Sequence, residues 1–510
     1  MEDHHHHHQP YATAGRATAL PCNHGGCAPY MHPGAHQHSN GSHDITNTTE
    51  QYFQHTSGQT ANTNNFLAAS LRDQYPHLKL SIITGAFDLF AFAAAGHAKY
   101  TPLDDEGPSA GLPPSVIVNV YRPSARRIGG GGGKGAVVQD VRFGKFLYHW
   151  QDTDHILYIA QGLSGDSGLV APTFTYLLSA DEHKANSLLL AAGKWTTSLH
   201  EEIWVFDGGN WAKDAALYQS VMRASWDNVI LDARMKKDLM NDHLYFFQSR
   251  CTYRRLKVPW KRGIIFYGPP GNGKTISIKA MMHTLYTLEP EVPTLYVRSL
   301  QTFMGPEYAI KSIFSLARQF APCYLVFEDL DSLVSDSVRS YFLNEVDGLK
   351  DNDGIFMIGS TNHLERLDPG ISKRPSRFDR KYLFPNPSFD ERVAYCRFWQ
   401  SKLNDNQDIE FPDRLCEAIA GITDKFSFAY IQEAFVASLL AIARDEGPGD
   451  MIAAMDVLTM MENADDWVEV GGRGGEDPEL GKLVLWAEMK RQVKILRDGL
   501  SEDDGEVVSA

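Results

Sequence analysis

A glycine-rich segment followed by lysine and threonine is the part of this sequence best suited to chemistry. Residues 268–275 read Gly-Pro-Pro-Gly-Asn-Gly-Lys-Thr, which fits the phosphate-binding pattern G-x-x-x-x-G-K-[ST]. Glycines let a backbone close around a phosphate, the lysine reaches the β- and γ-phosphates, and the threonine hydroxyl ligates Mg²⁺. The residues expected to contact the nucleotide here are Gly268, Pro269, Pro270, Gly271, Asn272, Gly273, Lys274, Thr275 and Ile276.

The segments on both sides of this loop meet the requirements of the pattern. Residues 263–267 are apolar and β-rich, which indicates a buried strand, and residues 276–285 can form a helix. A strand, a glycine turn and a helix start would direct backbone N–H groups and the positive end of a helix dipole at a phosphate. This context makes a chance glycine-rich turn a poor alternative.

Polar residues follow two later strand patterns. Residues 324–327 read as a buried strand ending in Glu328 and Asp329, and residues 355–361 read as a strand ending in Asn362. At the carboxyl end of such strands one carboxylate can meet Mg²⁺, while the other orients and deprotonates a water. Asn362 can hold that water or touch the γ-phosphate. The alternative is that the acids only cap a helix or lie in a loop.

Arginines cluster shortly after the second of these strands, at Arg374 and Arg377. Arginines on a loop beside a nucleotide core suit an arginine finger, which stabilises charge during phosphoryl transfer. A solvated basic loop is an equally simple interpretation of these two residues taken alone.

In this order and spacing, the motifs resemble the AAA family of ATPases over residues of about 225–445. The resemblance implies a Rossmann-like α/β core with a C-terminal helical lid, ATP and Mg²⁺ as ligands, and hexameric rings. It implies that Thr275 and Glu328 contact the metal ion, that Asp329 acts as the base and that Asn362 is the sensor residue. It also implies that Arg374 or Arg377 reaches the nucleotide bound by the neighbouring subunit. It also implies Val229 and Ala429 beside the adenine.

A loop before a later helix resembles the pore loop of this family. Residues 303–305 read Phe-Met-Gly, and an aromatic side chain on a mobile loop can grip an extended peptide without sequence preference. Gly305 would let the loop swing. The alternative is that Phe303 and Met304 are core residues at the start of a helix. Together with the ring that the resemblance implies, this loop predicts an ATPase that remodels, unfolds or translocates a protein.

The order Glu328 then Asp329 departs from the commonest family order, aspartate then glutamate. The same order occurs in the branch that resembles the mitochondrial chaperone of the Rieske protein, and residues 225–275 look closest to that branch. A base shorter by one methylene can slow hydrolysis, since a displacement of about 1 Å can cost about 10²-fold in rate. The alternative function is therefore a nucleotide-dependent scaffold or adaptor with slow hydrolysis.

The composition of the chain indicates which partners and which cellular compartment are favoured. The chain has 510 residues and a formal net charge of −15, which disfavours nucleic acid as a partner. The most apolar stretch, residues 82–95, is too short to span a membrane. Six scattered cysteines favour a reducing intracellular compartment, the cytoplasm or nucleus before the mitochondrion. Cys22, His24 and Cys27 have no second ligand pair at zinc-finger spacing.

Composition and pattern also predict five regions. Residues 1–65 are rich in His, Gly, Ser, Thr and Asn and are expected to be disordered, although the His run leaves open whether the start is native. Residues 66–208 predict an α+β domain with an antiparallel sheet, whose strands include residues 136–143, 145–150 and 201–206, and residues 209–384 predict the α/β core. Residues 385–465 predict a helical lid, and residues 466–510 predict a linker, a last helix over residues 480–500 and an acidic tail.

Overall fold

The structure, a computed structural model, describes most of the chain after residue 61. The described residues are 62–84, 87–103, 115–122, 135–162, 173–347, 351–374, 377–406, 409–445 and 478–506. The chain divides into two compact units, with the division at residues 189 and 190. Most of the segment expected to be disordered lies outside the described residues, but the first helix of the described part already begins at Thr63, earlier than the predicted boundary at residue 65.

The first unit is built around an antiparallel sheet. Its elements are α1 (Thr63–Gln74), β1 (Lys79–Ile83), α2 (Leu89–Ala94), β2 (Lys99–Pro102), β3 (Ser115–Arg122), β4 (Ala136–Trp150), β5 (Thr153–Gln161), β6 (Thr173–Ser179) and α3 (Glu182–Thr197), which crosses the division. The strand order is β1-β6-β5-β4-β2, and β3 pairs with β4. The two strands predicted at residues 136–143 and 145–150 form the single strand β4.

The second unit combines a mainly parallel sheet with helices. Its strands are β7 (Ile203–Asp207), β8 (Asn210–Asp214), β9 (Arg262–Tyr267), β10 (Thr294–Val297), β11 (Cys323–Phe327), β12 (Ile355–Thr361) and β13 (Arg380–Leu383). The helices are α4 (Ala215–Met222), α5 (Ala233–Gln248), α6 (Arg250–Leu256), α7 (Lys274–Tyr286), α8 (Pro306–Phe320), α9 (Leu330–Leu333), α10 (Arg339–Asp347), α11 (Pro369–Ser372), α12 (Phe389–Leu403), α13 (Asp413–Ile422), α14 (Phe428–Asp445) and α15 (Val484–Glu506). The mixed α/β class is therefore confirmed.

The sheet of the second unit has the order β13-β9-β12-β11-β10-β7-β8, and only β8 runs antiparallel to its neighbour. Helices cover both faces, which explains why β11 and β12 are buried along their whole length. Successive side chains of β11 alternate between the faces: Leu325 packs in the cluster with α8 and α10, and Val326 packs in the cluster with α5 and α7.

Strand β7 corrects the predicted boundary between the two folded domains. Residues 201–206 were expected to end the N-terminal domain, but β7 pairs in parallel with β10 and places Val205 beside Tyr296. A strand with the β-rich sequence Ile-Trp-Val-Phe fits either an antiparallel or a parallel sheet, and pairing partners decide between them. The strand belongs to the core sheet, and the core begins before residue 209.

The last described helix, α15, packs against the helices of the region predicted to be a lid. Leu485, Met489 and Val493 of α15 are buried in the same apolar cluster as residues of α12, α13 and α14. The sequence predicted this helix to lie beyond a linker and to end near residue 500, but it reaches Glu506. Among the described residues, no helix is long and apolar enough to cross a membrane.

Candidate functional site

The phosphate loop joins the end of β9 to the start of α7. At two positions of this loop, other segments of the chain approach the backbone so closely that only glycine fits. A Cβ on Gly268, whose φ is +132°, would lie 2.3 Å from the backbone oxygen of Phe384, and a Cβ on Gly271 would lie 2.5 Å from Cβ of Ala429. Any side chain at either position would push the loop away from the segments that fix it.

Lys274 is held at the base of this loop. Its Nζ donates to the backbone oxygens of Gly268 and Pro269, at 2.7 and 2.8 Å. Burial lowers the pKa of the Lys274 ammonium, while the nearby carboxylates of Asp329 and Asp331 oppose that change. The ammonium is therefore already placed at the helix start, with a proton left to donate to a phosphate oxygen.

A pocket of about 450 Å³ opens above the loop and collects most of the predicted site. Its lining includes Val229, Pro270, Gly271, Gly273, Lys274, Thr275, Ile276, Glu328, Asp329, Asn362 and Ala429. The predicted residues Gly268, Pro269 and Asn272 do not line it. The sequence analysis missed six lining residues: Asn228, Ile230, Ser360, Tyr395, Phe428 and Gln432. For three of them proximity to a predicted residue was the available signal, because Asn228 and Ile230 flank Val229 and Phe428 precedes Ala429.

The carboxylates and the amide meet because β11 and β12 are parallel neighbours. The register pairs Phe327 with Gly359, so Asp329 and Asn362 both follow at the same edge of the sheet. Asp329 has φ +49° and ψ +53°, a left-handed conformation that aspartate and asparagine tolerate better than most residues. Its backbone N–H donates to Oγ of Ser360 at 3.3 Å, which ties the turn to β12.

Glu328 has an unusual pair of oxygen environments. Its Oε2 accepts a hydrogen bond from the Tyr296 hydroxyl at 2.5 Å, whereas Oε1 is buried and has no hydrogen-bond partner among the described residues. Burial, followed by the charge of Glu328, raises the pKa of Tyr296 above its usual value. The phenol therefore remains a donor at neutral pH.

The donor set at this edge fits Mg²⁺. Glu328, whose Oε1 has no hydrogen-bond partner among the described residues, and Thr275, which carries a hydroxyl, both line this pocket. Mg²⁺ in nucleotide sites takes one or two carboxylates together with substrate phosphates. Among the described residues, no group of three or more His, Cys, Asp or Glu residues is arranged to hold a metal. Cys22, His24 and Cys27 lie outside the described residues.

The opposite end of the pocket is apolar. Val229 is buried and follows the 3₁₀ helix Trp226–Asn228. Lys236 of α5 donates to the backbone oxygens of Trp226 and Val229, which fixes this segment. Across the pocket, the backbone N–H of Ala429 donates to the oxygen of Gly271 at 3.1 Å. Val229 and Ala429, the two residues predicted to lie beside the adenine, both line the pocket.

The side chain of Asn272 links the loop to the lid instead of facing the pocket. Its Nδ2 donates to Oδ1 of Asn386 at 2.8 Å, and its Oδ1 accepts from the backbone N–H of Phe428 at 3.4 Å. Nδ2 of Asn386 donates in turn to the oxygen of Lys425 at 3.1 Å. Asn272 as a whole residue is 1% exposed, so its side chain fixes the loop against the segment after Asn386 and does not contribute to the pocket.

The two arginines have different environments. Arg377 is 5% exposed and forms a bidentate ion pair with Asp347, at 2.7 and 2.6 Å, while its Nη1 donates to the oxygen of Gly370 at 2.6 Å. This pair lowers the pKa of Asp347 and raises that of Arg377. The Arg374 side chain is 63% exposed, and its nearest Asp347 oxygen is 3.9 Å away. This geometry speaks against Arg377 as a residue that reaches a neighbouring subunit.

The loop before α8 projects its side chains outward. Phe303 is fully exposed and Met304 is 64% exposed, while Gly305 has φ +88°. Both side chains are absent from the buried clusters of the described core, which disagrees with the alternative that they are core residues.

The second unit is a mixed α/β domain, and the glycine-rich loop between β9 and α7 together with the pocket beside it supports nucleotide binding. Residues 264–386 match the family described as "ATPase family associated with various cellular activities (AAA)". The match spans the phosphate loop, the acids, Asn362 and both arginines, and it supports an AAA ATPase. It does not extend to the Rieske branch, so the likeness of residues 225–275 to that branch stays a prediction.

Proposed function

We propose that this chain hydrolyses ATP in the pocket between the phosphate loop and the lid, and couples hydrolysis to remodelling, unfolding or translocation of a protein. The observation that carries the proposal is the assembly in one pocket of Lys274, Thr275, Glu328, Asp329 and Asn362. They come from three strand ends, and each has a role in phosphoryl transfer.

ATP binding rests on groups that are already in place. The backbone amides of the loop and the Lys274 ammonium bind the β- and γ-phosphates at the N-terminus of α7. The adenine lies between Val229 and Ala429. Thr275 and Glu328 hold Mg²⁺, which when bound neutralises part of the phosphate charge.

The hydrolytic step needs a base and an orienting group. Asp329 accepts the proton of the attacking water, and Asn362 holds that water in line with the γ-phosphorus. The new bond joins the water oxygen to phosphorus as the bond to the bridging oxygen of ADP breaks. Ser360 supports Asp329 through the backbone hydrogen bond described above.

A ring, as in the family the sequence resembles, completes the site. Arg374 is the exposed arginine of the pair, and its length and charge suit it to the γ-phosphate of a neighbouring subunit. We therefore propose a homo-oligomer, a hexamer by that resemblance, with Arg374 as the finger. Arg377 has a structural role, since its donors are used within its own chain.

The exposed aromatic of the loop before α8 suits contact with a protein substrate. Phe303 offers its whole ring surface, and Gly305 permits a backbone change when the nucleotide state changes. Selection of the substrate is assigned to the first unit, because the ATPase motifs all lie outside it.

A phosphate-release assay tests the proposal. Turnover should rise with protein concentration, because the finger comes from a second chain, and rise again with an unfolded protein. The matched control is Lys274→Ala, compared with Lys279→Ala on the same helix, whose ammonium contacts Ser220. Stoichiometric ATP retention without turnover would instead favour the nucleotide-dependent scaffold, and retention on DNA at physiological salt would favour a DNA-remodelling role.

A further inference from the structure

Tyr296 lies beside the acid proposed for the metal. It occupies β10 opposite Val326 of β11, two residues before Glu328. Its side chain is largely buried at 8% exposure, and its hydroxyl donates to Glu328 Oε2 at 2.5 Å. A short hydrogen bond to a charged carboxylate is among the stronger neutral-donor contacts in proteins.

This hydrogen bond gives the two carboxylate oxygens of Glu328 different environments. Oε2 is engaged by the phenol, and Oε1 is buried without a partner among the described residues. An unpaired buried carboxylate oxygen is unfavourable unless a donor or cation meets it. Glu328 lines the candidate nucleotide pocket, and Oε1 is the one of its two oxygens for which a cation would not have to displace the Tyr296 hydroxyl.

A glutamate needs such a partner more than an aspartate does. Its extra methylene adds a rotatable torsion, so the carboxylate must lose more freedom to stay in one place. A fixed donor on the neighbouring strand offsets the added freedom, as partners of metal ligands commonly do.

We propose that Tyr296 is a positioning residue that holds the Glu328 carboxylate so that Oε1 is presented to the Mg²⁺ of Mg·ATP. The inference rests on the proposed function of the pocket. Tyr296 does not touch the nucleotide in this account, and it acts only through Glu328.

The central test is Tyr296→Phe in the full chain, which keeps the buried ring and removes the hydroxyl. Mn²⁺ binding to the protein with a non-hydrolysable ATP analogue, followed by electron paramagnetic resonance, should weaken by about 10–100-fold. Binding of the same analogue in EDTA should change less than about twofold. Tyr296→Met, which also lacks the donor but packs differently, should give the same pattern.

A double-mutant cycle with Glu328→Asp separates positioning from packing. The shorter carboxylate should no longer reach the phenol, so Y296F should change Mn²⁺ affinity by less than about threefold in the E328D background. An equal loss in both backgrounds, or wild-type Mn²⁺ affinity in Y296F, overturns the inference.

The same measurements distinguish this inference from the proposed function. If the wild-type chain binds neither the analogue nor ATP, the proposed function fails. If the wild type binds and hydrolyses ATP while Y296F keeps its metal affinity, only the role of Tyr296 fails.

Discussion

Replacing each arginine of the finger loop by alanine should separate a structural role from a catalytic one. Arg377 donates three charge-assisted hydrogen bonds and is 5% exposed. Removing one partner of a buried ion pair costs about 3–5 kcal/mol. Asp347 keeps 32% of its side-chain surface exposed, so water partly replaces the lost partner, and we expect about 3 kcal/mol for Arg377→Ala.

The corresponding change in melting temperature is large enough to measure. One kcal/mol shifts the midpoint of a domain of this size class by roughly 2–4 °C, so R377A should melt roughly 6–12 °C below wild type. Thermal unfolding followed by circular dichroism without nucleotide is the assay. Arg374→Ala should melt within about 2 °C of wild type, because its side chain is 63% exposed and its nearest carboxylate oxygen is 3.9 Å away.

Turnover should show the opposite pattern for Arg374. In assembled protein, R374A should lower ATP turnover by about 10³-fold or more while binding of ATP is retained. If R377A melts with wild-type stability, or if R374A hydrolyses ATP at the wild-type rate, the assignment of the two roles is wrong.

The pH dependence of protein stability provides a second test of the ion pair between Arg377 and Asp347. Because Arg377 lowers the folded-state pKa of Asp347, the stabilisation is fully present above the unfolded pKa of about 3.9 and is lost as pH falls through the lower folded pKa. The difference in stability between wild type and R377A should therefore be constant around neutral pH and shrink in strong acid. A difference that grows on acidification would contradict the pairing.

Three further changes test the pocket and the loop. Lys274→Ala should weaken ATP binding by about 10–100-fold or more, measured by calorimetry against K279A, because a charge-assisted donor to phosphate is lost. Asp329→Asn should keep ATP affinity, because asparagine matches the shape of aspartate and tolerates φ +49°. It should lower turnover by about 10²–10⁴-fold, because the amide cannot act as the base. Rapid turnover in D329N would remove Asp329 from the role of base. Phe303→Ala should leave stability within about 0.5 kcal/mol and basal ATP turnover intact, because the ring is fully exposed, yet abolish stimulation by an unfolded protein; undiminished stimulation would exclude this loop from substrate contact.

The sequence located the nucleotide pocket because its residues follow strands. Glu328, Asp329 and Asn362 each end or follow an apolar run, and parallel strands bring such ends to one edge. Spacing alone therefore predicted that they lie near Lys274. The mixed α/β class followed from the same alternation of strand and helix patterns.

Features that depend on distant partners could not be derived this way. Arg374 and Arg377 look alike in the sequence, and only the position of Asp347, thirty residues earlier than Arg377, separates them. Tyr296 reads as one buried residue in a short apolar strand, and its hydrogen bond to Glu328 depends on the pairing of β10 with β11. The merging of two predicted strands into β4 across Gly144 likewise depends on pairing with β5.

Because α15 completes the buried interior that α12, α13 and α14 share, the smallest fragment that keeps this interior folded is longer than the recognisable motifs suggest. A fragment that stops at α14 would leave the sites of Leu485, Met489 and Val493 open to water. Such a fragment would be prone to self-association, and a loss of activity on truncation would then report damage to this helical interior instead of a missing catalytic group.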